Sequence, residues 1–140
     1  MFILDTNVIS EVFASRPAPQ VMAWMDSHDR GLYWVTAISR AELMLGLNLM
    51  PDGAGKQDLA RLIADFFDEV LVNDVLPFGG KEADCFAGIV AERRRIGRPI
   101  GEFDAQIAAI ARCAGFQIVT RNSRDFEHCL VNLINPWEAR

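Results

Sequence analysis

Met1-Phe2-Ile3-Leu4-Asp5-Thr6-Asn7-Val8-Ile9 begins with an unbroken apolar run, stops on a carboxylate, and resumes apolar after two further polar residues. The run does not alternate, so it reads as a short strand at the centre of a parallel sheet covered on both faces. Its tip is Asp5, and burying an unpaired carboxylate is costly, so a cap, a cation or solvent must meet it. Glu42, Asp104 and Asp125 stand at comparable strand-to-helix junctions. Four acids in such positions suggest a divalent-metal site.

Outward from this stretch, residues 32–36, 70–75 and 117–120 read as second, third and fourth strands, with 130–134 as an edge strand. Helices are expected over 7–13, around Val21, Met22, Trp24 and Met25, and over 37–49 with Ala41, Leu45 and Leu49 on one stripe beside Ile38. Residues 59–67 follow, with Leu59, Leu62, Ile63, Phe66 and Phe67 inward. A long helix over 81–95 runs through Ala83, Phe86, Ala87, Val90 and Ala91, and another begins at Glu102 or Phe103 and ends near Cys113. Gly97 and Gly115 are placed to terminate these two, and a short helix is expected over 123–128. This alternation predicts an α/β fold: a three-layer α/β/α sandwich around a central, mostly parallel sheet of four to five strands, in one domain over residues 1–140. Right-handed crossovers bring the strands' carboxyl ends to one edge, where open sheets carry their sites.

The 51% hydrophobic content suffices for a core in 140 residues and argues against disorder. No stretch approaches the ~20 apolar residues of a membrane span, and no basic leader precedes Asp5, so a cytoplasmic protein without a signal peptide is expected. Cys85, Cys113 and Cys129 lack any Cys-x-x-Cys spacing and read as buried small hydrophobes in a reducing compartment. A net charge of −5, from 19 acids and 14 bases, argues against gripping nucleic acid by bulk electrostatics. Among the bases only Lys56 and Lys81 are lysines. Arginine's planar fork suits phosphate contacts and surface ion pairs equally. Arg121 and Arg124 are candidate phosphate contacts, whereas Arg93, Arg94, Arg95 and Arg98 read as a solvated helix end.

Each acid also has a structural reading. Ser39-x-x-Glu42 matches a capping box, Asp104 and Asp125 suit the first turns of helices, and Asp5 can accept hydrogen bonds from the turn after it. Together they are harder to explain. Like charges ~4 Å apart at an effective dielectric of ~20 repel by about 4 kcal/mol, so such a cluster must protonate, spread or bind a cation. Oxygen ligands without a partnering His or Cys select Mg²⁺ or Mn²⁺ over zinc, and His28 and His128 read as structural or solvent-facing. A carboxylate-held Mg²⁺ suits phosphodiester hydrolysis, and a second ion can share the work. Thr6 is placed either to hydrogen-bond a metal-bound water or to cap the first helix, Asn7 to brace the loop, Ser39 to cap its helix or donate to Glu42, and Asn122 to act near the metal without adding charge.

These residues carry a resemblance. Phe2-Ile3-Leu4-Asp5-Thr6-Asn7-Val8-Ile9-Ser10-Glu11, Ile38-Ser39-Arg40-Ala41-Glu42-Leu43-x-x-Gly46, Arg98-Pro99-Ile100-Gly101-x-x-Asp104-x-x-Ile107-Ala108-Ala109 and Val119-Thr120-Arg121-Asn122-x-x-Asp125-Phe126 follow in order across the chain. In these motifs it resembles PIN-domain ribonucleases, specifically VapC-type toxins of type II toxin–antitoxin systems. The resemblance implies a Mg²⁺- or Mn²⁺-dependent endoribonuclease that inhibits translation and is restrained by a co-expressed antitoxin protein. It also implies a homodimer, and larger toxin–antitoxin assemblies on operator DNA held through the antitoxin. The family's first three acids carry over onto Asp5, Glu42 and Asp104, the expected anchors of the principal metal. Its fourth, often Asp, falls on Asn122, which removes a charge, and Asp125 either takes over part of that role or supports the loop. Metal-activated water is then expected to leave a 5′-phosphate and a 3′-hydroxyl. The rival from another class is a catalytically silent PIN-like interaction or RNA-binding module. A DNA nuclease or phosphatase is the rival within enzymes, although an aspartyl-nucleophile phosphatase favours Asp where Asn7 stands.

Overall fold

Four short parallel strands form one sheet in the order β2-β1-β3-β4 in the computed structural model, which describes residues 1–138. They are β1 (Phe2–Leu4), β2 (Tyr33–Trp34), β3 (Gln117–Val119) and β4 (Leu133–Ile134). The registers Ile3↔Trp34, Ile3↔Ile118 and Val119↔Ile134 put β1 and β3 at the centre. Among the described residues six α-helices surround the sheet: α1 (Thr6–Phe13), α2 (Pro19–Asp26), α3 (Ala37–Leu49), α4 (Ala54–Asp65), α5 (Gly80–Arg95) and α6 (Glu102–Ala114).

Successive strand residues point to opposite faces, and both faces are apolar here. Leu4 and Val119 join one core with Val8, Ile9, Val21, Leu43 and Ile63 of α1 to α4. Ile3 and Ile118 join the other with Ile89 of α5 and Ile107 and Ile110 of α6. This is the expected three-layer α/β/α sandwich, with a sheet parallel throughout. After β1 the chain crosses to β2 on one side and later returns to β3 on the other, so the connections diverge between β1 and β3. Ligand crevices of open α/β sheets lie outside the carboxyl ends of strands at such a point. Asp5 and Thr120 follow β1 and β3 there, and the sheet pairing continues through Asp5 N–H to Val119 O at 2.9 Å.

Several local expectations are corrected. The third strand over 70–75 does not form. A π-helical turn, Phe66–Val70, takes up its start, and only Leu76 bridges Thr36. Asn73 explains the gap: its amide donates to the carbonyls of Gly31 (2.9 Å) and Tyr33 (2.8 Å), meeting the edge of β2 with a side chain instead of a strand. Pro77 then supplies no donor. On α3, Ala41, Leu45 and Leu49 face solvent, while Ser39, Leu43 and Leu47 are buried. Both sets are spaced four apart, so periodicity alone cannot choose between them. Leu62 of α4 is likewise exposed. Ala83, Ala87 and Ala91 lie on the outer side of α5, whose buried residues are Ile89 and Arg93. Arg93 is therefore no part of a solvated helix end, unlike exposed Arg94, Arg95 and Arg98. The expected helix at 123–128 is a 3-10 turn, Ser123–Phe126. Cys129 is buried, but Cys85 and Cys113 are only half-buried. Gly97 (φ 73°) and Gly115 (φ 71°) do end α5 and α6 in the left-handed conformation glycine adopts without strain. Among the described residues no helix is long and apolar enough to cross a membrane.

Asn73→Ala should lower stability by about 1–2 kcal/mol in urea unfolding, since one side chain serves two carbonyls. An unchanged midpoint would show that water replaces both contacts at no cost.

Candidate metal centre

The opening beyond the carboxyl ends of β1 and β3 is a cavity of about 500 Å³ lined by Asp5, Thr6, Asn7, Ser10, Glu11, Glu42, Asp104, Asn122 and Asp125. Five of these nine residues are acids and none is basic.

Asp5 is the most constrained. It caps α1 by accepting from Thr6 N–H at 2.8 Å through Oδ1. Its Oδ2 accepts from the Thr120 hydroxyl at 2.8 Å and from the Asn7 amide at 3.2 Å. The carboxylate is 6% exposed. Burial raises its pKa, and the bonds from Thr120, Thr6 and Asn7 oppose that rise. Thr120 is fully buried and sits beside Asp5 because its strand pairs with β1. Its hydroxyl also accepts from Asn122 N–H (3.1 Å) and from Asn7 (3.3 Å). Asn7 Oδ1 in turn accepts from Arg121 N–H at 3.3 Å. The network thus ties the loop after β3 to the start of α1, giving Asn7 the bracing position expected of it.

Glu42 reaches into the cavity from α3 instead of folding back in a capping box. Thr36 is the cap, accepting from Ser39 N–H at 3.1 Å, and its own hydroxyl donates to Ser39 Oγ at 3.4 Å. Ser39 is thereby buried against Thr36 and gives Glu42 nothing. Glu42 accepts instead from the Thr6 hydroxyl at 3.0 Å. Burial, then the neighbouring Asp5 charge, raise its pKa against that bond. Asp104 stands in the first turn of α6, which begins after Gly101. Half-buried, it is pushed up to about 6 by burial, then by the charges of Asp5, Asp125 and Glu42. Asn122 and Asp125 are exposed.

The cavity therefore gathers Asp5, Thr6, Glu42, Asp104, Asn122 and Asp125, but not Ser39. Arg121 and Arg124 lie beside it, lining an adjoining cavity of about 400 Å³ with Asn122, Ser123, Asp125, Asn135 and Glu138. The sequence gives Thr120 no role and reads Arg93 only as part of a solvated helix end. Thr120 could have been found as the polar residue ending β3 where Asp5 ends β1. No local signal marks Arg93.

A hard divalent cation fits the donor chemistry, since the acids offer only oxygens and their mutual repulsion favours positive charge. Among the described residues, however, no three His, Cys, Asp or Glu side chains come close enough together to grip one ion. A cation here would reach some carboxylates through water, as Mg²⁺ commonly does.

Fold and site define an α/β protein with a carboxylate cavity at the switch point of its parallel sheet. The sequence profile of the PIN domain matches residues 2–129, and the chain belongs to that family. It is related to the VapC-type toxins of toxin–antitoxin systems. It is 36% identical over 138 residues to VapC ribonuclease Y4jK of Sinorhizobium fredii, covering 99% of both chains. It is 34% identical over 137 residues to toxin FitB of Neisseria gonorrhoeae, covering 98% of this chain and 99% of that one. Its fold matches the structure of FitAB bound to the IR36 DNA fragment, with a TM-score of 0.92 and 32% identity over 100% of this chain and 98% of the other.

With its folded pKa near 6 against an ordinary 3.8, Asp104 binds its proton more tightly folded than unfolded. Stability therefore falls as pH rises through that window. Metal-free Asp104→Asn should be more stable than wild type at pH 7–8, by about 1 kcal/mol after discounting for solvent screening. The difference should vanish near pH 4. A variant less stable at pH 8 would show that Asp104 makes a stabilising bond the electrostatics do not include.

Proposed function

We propose that this chain is a Mg²⁺- or Mn²⁺-dependent endoribonuclease, the toxin of a toxin–antitoxin pair. The observation that carries the reading is the cavity of five acids at the sheet's switch point in a VapC-related PIN domain. Asp5, Glu42 and Asp104 would hold the cation, directly or through its waters. When bound, it supplies the Lewis acid that activates a water and offsets charge developing on the scissile phosphate.

The chain's own residues prepare this. Thr6, Thr120 and Asn7 fix the Asp5 carboxylate, and Thr6 also fixes Glu42. Their donated hydrogen bonds favour the ionised forms that a cation needs. Asp104 has a pKa pushed up to about 6, so it passes from protonated to ionised just below neutral pH. Asn122 and Asp125 form the rim shared with the adjoining cavity. The RNA strand would pass over that rim, with Arg121 and Arg124 on its phosphates. Neither arginine has a carboxylate within ion-pairing distance among the described residues. Arg121 lies over the Trp137 ring at 5.2 Å, an orientation that limits its freedom at little cost. Local positive charge at one end of an acidic cleft accounts for RNA binding by a protein of net charge −5.

Two partners belong to this reading. An antitoxin is supported by the relation to FitB, whose structure as FitAB is solved on DNA. A groove of about 290 Å³ lined by Phe13, Leu43, Gly46, Leu59 and Ile63 shares Thr6, Ser10 and Glu42 with the acidic cavity, so a segment seated there would reach the site. A second copy of the chain is the other, as the homodimer that the resemblance implies.

Asp5→Asn or Asp104→Asn should lower RNA cleavage more than ~100-fold while retaining the fold, since Asn at position 5 can still accept from Thr6 N–H through its amide oxygen and turn its amide nitrogen as donor to the Thr120 hydroxyl. Cleavage of matched RNA and DNA with Mg²⁺, Mn²⁺ or EDTA, read by the end groups formed, checks this. EDTA should stop it, and products should carry 5′-phosphates. Equal cleavage of DNA would remove the ribonuclease assignment, and wild-type rate in Asp5→Asn would favour the catalytically silent module. Arg121→Ala and Arg124→Ala should each lower the slope of log affinity against log salt by ~0.7 for single-stranded RNA bound to an inactive variant. Unchanged slopes would place the strand elsewhere.

A further inference from the structure

Arg93 is a buried cation, 4% exposed, with no carboxylate in ion-pairing distance among the described residues. Its partners are backbone carbonyls on two separate segments. Nε donates to Arg98 O, and Nη1 donates to Asp125 O at 3.0 Å and Glu127 O at 2.9 Å, with Cys129 Sγ at 3.8 Å. The first segment runs through Pro99-Ile100-Gly101 into α6 and so carries Asp104. The second follows β3 and carries Asn122 and Asp125 on the cavity rim.

The second segment needs such support. His128 (φ 63°) and Leu130 (φ 58°) are both left-handed without being glycine, a conformation that persists only when surrounding contacts hold it. Arg98 adds a tie at the surface, to Glu127 at 2.9 Å and His128 at 3.0 Å, but those groups are solvent-exposed. Among the described residues, Arg93 is the side chain that hydrogen-bonds to both segments from within. A lysine keeps the charge but not the planar spread of donors.

We infer that Arg93 is a positioning residue, a buried clamp that sets the spacing between the arm bearing Asp104 and the arm bearing Asp125. Its consequence for the cation rests on the proposed function. Two effects of its removal oppose each other. Losing a positive charge near the acids favours a bound cation, whereas losing the clamp lets two of the cavity's carboxylates drift. Arg93 makes no ion pair with any of these acids among the described residues, whereas it hydrogen-bonds both arms directly, so loss of spacing prevails.

The test compares the full chain as wild type, Arg93→Met and Arg93→Lys, under conditions where circular dichroism shows each folded. Amide hydrogen exchange without metal is the first readout, and Mn²⁺ affinity by electron paramagnetic resonance is the second. Exchange should rise at least tenfold over residues 97–105 and 121–130 in both variants while β1 amides stay protected. Mn²⁺ affinity should weaken at least fivefold in both. Tighter or unchanged Mn²⁺ binding in Arg93→Met would overturn the inference, as would unchanged protection of the two arms or an equal loss of protection throughout the fold. If Arg93→Met does not fold, Arg93→Lys decides on the same readouts. Wild-type protein that binds no Mn²⁺ would instead overturn the metal reading, leaving exchange to decide the clamp.

Discussion

The pairing of β1 with β3 is the constraint from which the site follows. Because Leu4 lies beside Val119, Asp5 and Thr120 emerge together at the sheet's carboxyl edge. The 2.8 Å bond from the Thr120 hydroxyl to Asp5 joins residues 115 positions apart in the sequence. Around that bond, Thr6 and Asn7 complete the shell of one buried carboxylate. These donors favour the ionised carboxylate against the burial that raises its pKa. The apolar cores on both faces make this geometry stiff, since neither strand can shift without exposing Ile3 or Ile118 on one side and Leu4 or Val119 on the other.

The remaining acids reach the same opening from less rigid places. Glu42 comes from a helix turn, Asp104 from the first turn of α6, and Asp125 from a 3-10 turn on the rim. Their mutual repulsion is visible in Asp104, whose pKa is raised by three neighbouring carboxylates as well as by burial. The site is thus least comfortable once pH rises past about 6 and Asp104 is ionised, the condition the proposed cation would relieve.

Much of this was legible in the sequence. The apolar run ending in Asp5 marked β1 and the sheet edge, and the bounds expected for α3, residues 37–49, are those found. What could not be read has physical causes. Ala41, Leu45 and Leu49 form as regular a stripe as Ser39, Leu43 and Leu47, and only tertiary contact decides which faces inward. Residues 70–75 have strand composition, but Asn73 meets β2 with its side chain, a contact no local pattern encodes. Ser39-x-x-Glu42 fits a capping box, yet Thr36 already caps α3 and Thr6, distant in sequence, takes Glu42. Arg93 sat within a run of arginines, and its burial depends on carbonyls about thirty positions away.

On the proposed function these carboxylates share one hard cation. A crystal of the wild-type chain grown with saturating Mn²⁺, with data collected at the manganese absorption edge, tests it most directly. An anomalous peak should lie among Asp5, Glu42 and Asp104, bonded to at least one of them and bridged by water to the others. An empty cavity under those conditions, or a peak only at the surface, would contradict the account.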